Sequence, residues 1–307
     1  MYDVVIIGGG AAGLTAAIYT GRSGLKTVLI NKGVIGGIAS VIDMIENYPG
    51  FPDGISGMKL MQTFEKQARK WGVEIIADEA VGIEYDDYKK IVKTKKAVLE
   101  TWTVIIATGS EPKRLGVPGE EKFIGRGISF CATCDGPLFK DKDLMVVGAG
   151  NSGLQEGLFL LRFARSLTFV EVLPKIQAEK VLIDRVTADP RVRFLLNHVV
   201  VAIEGKESVE GVRIMDRETK KTKVVPVSGL FIYVGFHPET EFLKGKIRMD
   251  GSGYIITDEN METTVKGIMA AGDVRRKFAR QVSTAIGDGA AAAIAAHRYV
   301  ERLKELG

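Results

Sequence analysis

Apolar runs and glycine clusters alternate along this chain in a pattern that occurs twice. Near the start, Val4 to Ile7 is an uninterrupted apolar run, Gly8-Gly9-Gly10 breaks it, residues from about Ala11 to Ser23 read as a helix, and Thr27 to Ile30 is apolar again. Short apolar runs bounded by turn residues predict buried strands, so the segment reads strand, glycine turn, helix, strand. The same order returns as a strand at Leu144 to Val147, glycines at 148, 150 and 153, a helix, and a strand ending near Glu171. Near the C-terminus a short run of buried type ends at Gly272-Asp273, and a long alanine-rich helix starts between Arg280 and Ser283. Tyr85 to Ile106 reads as a small sheet with polar turns, its lysines forming a wet edge that discourages pairing between molecules. The whole predicts an α/β fold with two Rossmann-like dinucleotide-binding units.

Gly8, Gly10 and Gly13, and again Gly148, Gly150 and Gly153, spell GxGxxG at a strand-to-helix turn. Glycine permits the tight bend and the close approach of a pyrophosphate, while the helix N-terminus offers free N–H donors. A lone triplet is compatible with a plain turn; between a strand and a helix it points to dinucleotide binding. Two units imply two bound dinucleotides, or one and a degenerate copy, and two intact fingerprints favour the first. An enzyme holding two dinucleotides passes electrons between them, commonly from a nicotinamide to a flavin. Asp273, at a strand end ahead of a helix, is placed to receive hydrogen bonds from a ribityl chain, or else to cap the helix.

Composition narrows the partners. The 307 residues are 46% hydrophobic and 26% charged, long enough for two domains, and the net charge of +4 from 42 basic and 38 acidic residues is scattered. That pattern gives no nucleic-acid footprint and no membrane anchor. With no apolar run of membrane-spanning length and no leader pattern after Met1, a cytoplasmic location is expected. The two cysteines of the chain, Cys131 and Cys134, lie in "CATCDG". Cytosolic thiols are held reduced, and a loop with two intervening residues restricts the unfolded chain little, so a structural staple is the weaker reading. Zinc needs about four ligands, and the other donors of that kind are His198, His237 and His297; no metal is expected. A pair that opens and closes is the leading reading.

Taken together these residues resemble the low-molecular-weight thioredoxin reductases, over essentially the whole chain. The matching pieces are Gly8 to Gly13, "ENYPG" (46 to 50), "ATG" (107 to 109), "GVPGE" (116 to 120), "CATCDG", the second glycine motif, "YVGFHP" (233 to 238), "AAGDV" (270 to 274) and "RQVSTAIGDG" (280 to 289). The resemblance implies an FAD domain from residues 1 to 111 and 241 to 307. A nicotinamide domain, 112 to 240, is inserted in it and carries the cysteines. It further implies a homodimer, and a rotation of the domains that alternately presents nicotinamide or disulfide to the flavin. FAD would rest on Gly8, Gly10, Ala11, Ala12, Gly13, Asn31, Gly37, Asn47, Ala107, Thr108, Gly109, Gly272, Asp273, Arg280, Gln281 and Val282. The nicotinamide nucleotide would rest on Gly148, Gly150, Asn151, Ser152, Gly153 and Glu171. By similarity Cys134 faces the flavin, Cys131 attacks thioredoxin or a glutaredoxin-like protein, and Asp135 is the acid or base beside them, unless Asp135-Gly136 is only a turn.

Two departures qualify the likeness. Where NADPH-specific members carry a basic cluster, this chain has "FVEVLPKIQAEK", with Glu171 and no arginine. A carboxylate there suits the free ribose hydroxyls of NADH and repels a 2′-phosphate, so NADH is expected over NADPH, with Lys175 a remaining anchor for a phosphate. This loop resembles that of the NADH-using flavoprotein of alkyl hydroperoxide reductase. Ile38 stands where many relatives have glutamine, and Asn31 is either a ribose ligand or a cap. Rival readings are the same fold serving a glutaredoxin-like or peroxiredoxin partner, one fed by ferredoxin or deazaflavin, and a redox sensor, against which the intact CxxC-Asp argues.

Overall fold

The computed structural model describes residues 1–42 and 44–306. They form two compact units, one built from Met1–Glu111 together with the chain from His237 onward, the other from Pro112–Phe236. Residues 237 to 240 thus go with the first unit. There the Thr108 hydroxyl donates to the Glu239 carbonyl at 2.7 Å and the Thr240 hydroxyl to the Gly253 carbonyl at 2.9 Å.

The first unit is organised by a sheet in which Glu74–Ala77, Thr27–Asn31, Tyr2–Ile7 and Val98–Ile106 lie side by side and parallel. Val98–Ile106 divides its free edge. Its first half pairs antiparallel with Lys90–Thr94, which continues to Ala80–Tyr85, and its second half pairs parallel with Ile268–Ala270. Alternate side chains enter two cores. Val4, Ile6, Leu29 and Ile105 pack with the helices Ala11–Arg22 and Val282–Leu306; Val5, Ile7, Val28, Ile30 and Ile106 pack with Leu243, Ile255 and Val274. A sheet covered on both faces needs apolar residues at consecutive positions, which is why these strands read as unbroken runs. Each such side chain contributes roughly 1.5–3 kcal/mol when fully buried.

The second unit repeats the plan with five parallel strands in the order Val192–Leu196, Ser166–Glu171, Asp143–Val147, Gly229–Ile232 and Ile128–Ser129. An antiparallel sheet of His198–Glu204, Gly211–Asp216 and Thr222–Pro226 accompanies it. Both chain passages between the units run through one two-stranded pairing, Ser110–Pro112 with Phe236–Pro238. Among the described residues no helix is long and apolar enough to cross a membrane.

Candidate active site

Ile7, Ile106 and Ala270 stand in register across three neighbouring strands, so the chain leaves the sheet at one edge in three loops: Gly8 to Gly10, Ala107 to Gly109 and Ala271 to Asp273. The carboxyl edge of such a sheet is where open α/β folds bind ligands. Gly8 has φ +107, and a Cβ there would lie 2.3 Å from the Ala107 carbonyl oxygen; a Cβ on Gly13 would lie 1.8 Å from the Gly8 oxygen. Those two glycines close the turn. Gly10 differs, since no atom lies within 4 Å of its missing side chain, and the helix Ala11–Arg22 begins there without a side-chain cap. The open space and free N–H donors form a cradle for an anion. Gly37 adjoins the same point, a Cβ on it reaching 3.4 Å from the Gly10 Cα.

Asn31 neither caps a helix nor stands free. Its Oδ1 accepts the Gly9 N–H at 2.9 Å and its Nδ2 donates to the Gly33 carbonyl at 2.7 Å, so it clamps the glycine turn. On the third loop, Asp273 is largely buried, and burial pushes its carboxyl up from the ordinary range although Lys277 and Arg280 pull the other way. Its Oδ1 is buried with no hydrogen-bond partner, and the Lys277 ammonium stands 3.8 Å off. The Gly272 N–H donates to Asp288 on the last helix, which also holds Arg275 at 3.0 Å and Lys277 at 2.8 Å. This buried ion cluster was not visible in the sequence, where Asp288 stands in "RQVSTAIGDG" with no sign of its partners. Beside the loop, Asn47 Nδ2 reaches Gln281 Oε1 at 3.2 Å, and the Arg280 guanidinium lies over the Tyr254 ring at 4.2 Å. Val282 opens the last helix, and Ile38 is exposed.

The second glycine turn is built alike. A Cβ on Gly153 would meet the Gly148 oxygen at 2.1 Å, one on Gly148 the Tyr233 oxygen at 2.2 Å, and one on Gly150 nothing nearer than 3.8 Å. Glu171, 9% exposed, takes the Ala149 N–H on one oxygen at 2.7 Å and the Leu173 N–H on the other at 3.0 Å. Each carboxylate oxygen keeps a lone pair for a further donor. Asn151 and Glu179 bond each other at the mouth of the turn, and Ser152 is exposed on the first turn of the helix. Arg217, remote in sequence, brings its guanidinium to the Val172 carbonyl at 2.9 Å. The stretch from 172 to 180 that follows Glu171 holds no arginine, so this cation is legible only in three dimensions.

Cys131 and Cys134 are bonded to each other directly after the edge strand Ile128–Ser129, at the same carboxyl edge as the second glycine turn. Cys131 caps the short helix Ala132–Asp135, its sulfur accepting the Cys134 N–H at 3.2 Å, and Ser129 Oγ accepts the Cys131 N–H at 3.0 Å. Cys131 is half-buried and Cys134 exposed. Gly136 has helical dihedrals, so Asp135-Gly136 is not a left-handed turn; its lack of a side chain leaves room for Leu160 and Phe159, 3.2 Å from where a Cβ would stand.

From residue 2 to residue 289 the chain matches the profile of the pyridine nucleotide-disulphide oxidoreductases. The chain belongs to that family. A thioredoxin reductase of Listeria monocytogenes is 43% identical over 314 residues, covering 99% of this chain and 96% of its own, and one of Peptoclostridium acidaminophilum is 38% identical over 98% of each. The crystal structure of Lactococcus lactis thioredoxin reductase aligns with a TM-score of 0.96 at 39% identity, covering 98% of this chain and 100% of that one.

Family membership makes the protein a disulfide-reducing flavoenzyme, with FAD and a pyridine nucleotide as its cofactors. The residues fit such ligands. The orphaned Asp273 Oδ1 awaits a hydroxyl donor, and the spaces at Gly10 and Gly150 are ones a Cβ would narrow. A cluster of Glu111, His237 and Glu239 at the two-stranded pairing offers metal-ligand atoms within 4.8 Å of one another. Lys32 already occupies the cation position there, at 3.0 Å from Glu111 and 2.5 Å from Glu239.

Proposed function

We propose that this protein is a thioredoxin-disulfide reductase that prefers NADH to NADPH and reduces thioredoxin or a glutaredoxin-like protein through Cys131 and Cys134. The observation that carries the reading is the disulfide lying at the carboxyl edge of a dinucleotide-type sheet with a backbone N–H already on the Cys131 sulfur. That donor stabilises a thiolate, the form that attacks a partner disulfide. In the exchange, the Cys131 thiolate bonds one partner sulfur and releases the other as a thiolate. Cys134 then attacks the mixed disulfide and re-forms the internal bond, and Asp135 supplies the proton a departing thiolate takes up.

FAD, when bound, supplies a two-electron carrier between pyridine nucleotide and disulfide. Gly8 to Gly13, Asn31, Gly37, Asn47, Ala107 to Gly109, Gly272, Asp273 and Arg280 to Val282 would hold it; Gly148, Gly150, Asn151, Ser152, Gly153 and Glu171 would hold the nicotinamide nucleotide. The preference for NADH rests on Glu171, whose carboxylate accepts from ribose hydroxyls and repels a 2′-phosphate. A homodimer in the cytoplasm belongs to the same reading.

Anaerobic titration with NADH and, separately, NADPH tests the donor, read by loss of the flavin band near about 450 nm. Bleaching at far lower NADH than NADPH is expected, followed by turnover on thioredoxin. Bleaching by neither would sink the pyridine nucleotide donor for this chain.

A further inference from the structure

Tyr233 is the residue through which the second glycine turn and the redox turn meet. Its backbone is fixed from both sides, the N–H donating to the Val147 carbonyl at 2.8 Å and the C=O lying against Gly148, where a Cβ would come within 2.2 Å. From this fixed point the side chain extends to the helix that carries the cysteines. Its hydroxyl oxygen accepts the N–H of Ala132 at 3.0 Å, and Ala132 is fully buried. Burial, and next the nearby carboxylate of Glu156 on the helix Asn151–Leu160, push the phenol up from its ordinary range. Asp135 pushes the phenol weakly in the same direction.

We propose that Tyr233, oriented by Glu156, is a positioning residue for the redox pair: by holding the Ala132 N–H it keeps the Cys134 N–H on the Cys131 sulfur. The inference rests on the disulfide reductase reading. Two electrons and one proton convert the Cys131–Cys134 disulfide into one thiol and one thiolate as the S–S bond breaks. The charge left on Cys131 is what the Cys134 N–H stabilises. A helix of a single turn has no length to hold its own first residue, so its geometry is set from outside. An acceptor polarised by a carboxylate is stronger than a lone phenol, which gives Glu156 its part.

The test uses flavin-loaded wild type, Tyr233→Phe and Glu156→Gln. Each is equilibrated anaerobically with mixtures of reduced and oxidised dithiothreitol and its thiols are counted by alkylation; the pH dependence of Cys131 alkylation is followed separately. Loss of one hydrogen bond in Tyr233→Phe is expected to shift the equilibrium about fivefold toward the disulfide, about 20 mV for a two-electron couple. The alkylation midpoint should move to higher pH. Glu156→Gln should move both in the same direction by less, and it carries the test if Tyr233→Phe does not fold. A lower melting temperature with both quantities unchanged would show a purely structural tyrosine and overturn the proposal, as would a shift in the opposite direction. Failure of NADH and NADPH to reduce the wild type would strike the functional reading instead, because the dithiothreitol equilibrium needs neither.

Discussion

Asn31 and Glu171 hold corresponding places in the two units. Each ends the strand that follows a glycine-turn helix, and each accepts the N–H of the middle residue of that turn, twenty-two positions earlier, at 2.9 Å for Gly9 and 2.7 Å for Ala149. The clamp is shared while the charge is not, so only the second unit presents a carboxylate at the strand end.

Glu171→Gln separates the two roles, since the amide oxygen still accepts the Ala149 N–H while the charge is gone. Two unit charges a few ångströms apart near a protein surface interact by a few kcal/mol at most, so removing one is expected to change the NADH-to-NADPH ratio of kcat/KM by about tenfold or more toward NADPH. Steady-state kinetics with both nucleotides checks it. An unchanged ratio would place the discrimination elsewhere, with Lys175 or Arg217.

Gly10→Ala and Gly13→Ala should fail in different ways. The Gly13 Cβ would stand 1.8 Å from the Gly8 oxygen and cannot be accommodated without moving backbone, whereas the Gly10 Cβ meets nothing within 4 Å. Gly13→Ala is therefore expected to lose several kcal/mol of stability, and Gly10→Ala to fold normally but purify with little flavin. Melting curves and the ratio of flavin to protein absorbance distinguish the outcomes.

Both glycine turns were legible because their chemistry is local: the strand, the turn and the helix are contiguous, and GxGxxG carries its own geometry. The same holds for Cys131 and Cys134. What could not be read was assembled across the chain. Asp288 meets Gly272, Arg275 and Lys277 only because the last helix packs under a loop that precedes it, and Arg217 meets Val172 from a turn between two antiparallel strands. Asn31 is legible in the sequence as a ribose ligand or a cap, and the structure adds a further task, its side chain spanning Gly9 and Gly33. Asparagine's short amide serves all three purposes, and the sequence holds nothing that chooses among them.

Asp273→Asn should stabilise the apoprotein and weaken its hold on FAD. Burial raises the carboxyl's pKa in the folded state, so the charged form costs stability, and that cost grows as pH rises through the unfolded and then the folded pKa. The asparagine removes it. The expected result near neutral pH is a higher melting temperature for the apoprotein than wild type, with FAD affinity about tenfold lower for the loss of a charged acceptor. Equal melting temperatures would contradict the assigned burial cost.

Asp143 has the opposite sign. Hydrogen bonds from Arg165 and Ser166 hold its carboxyl down at about 2. Its contribution is present above the unfolded pKa of about 4 and is lost as pH falls from there toward 2. Urea midpoints measured from pH 6 downward should fall more steeply for wild type than for Asp143→Asn below about pH 4. Parallel curves would remove this pair from the acid response.

The first unit is written in two instalments. Its sheet begins with Tyr2–Ile7 and is closed by Ile268–Ala270 and the helix Val282–Leu306, while the unit between them is contiguous from 112 to 236. During synthesis the inner unit therefore has its whole sequence outside the ribosome first. The opening strand already has both of its ladder partners, but its glycine turn stands beside a missing wall until the final stretch of polypeptide delivers Asp273. Premature termination after residue 236 would consequently leave an intact redox turn attached to a sheet missing one strand, its Val104–Ile106 edge unpaired and apolar, a species suited to aggregation and to clearance by proteases.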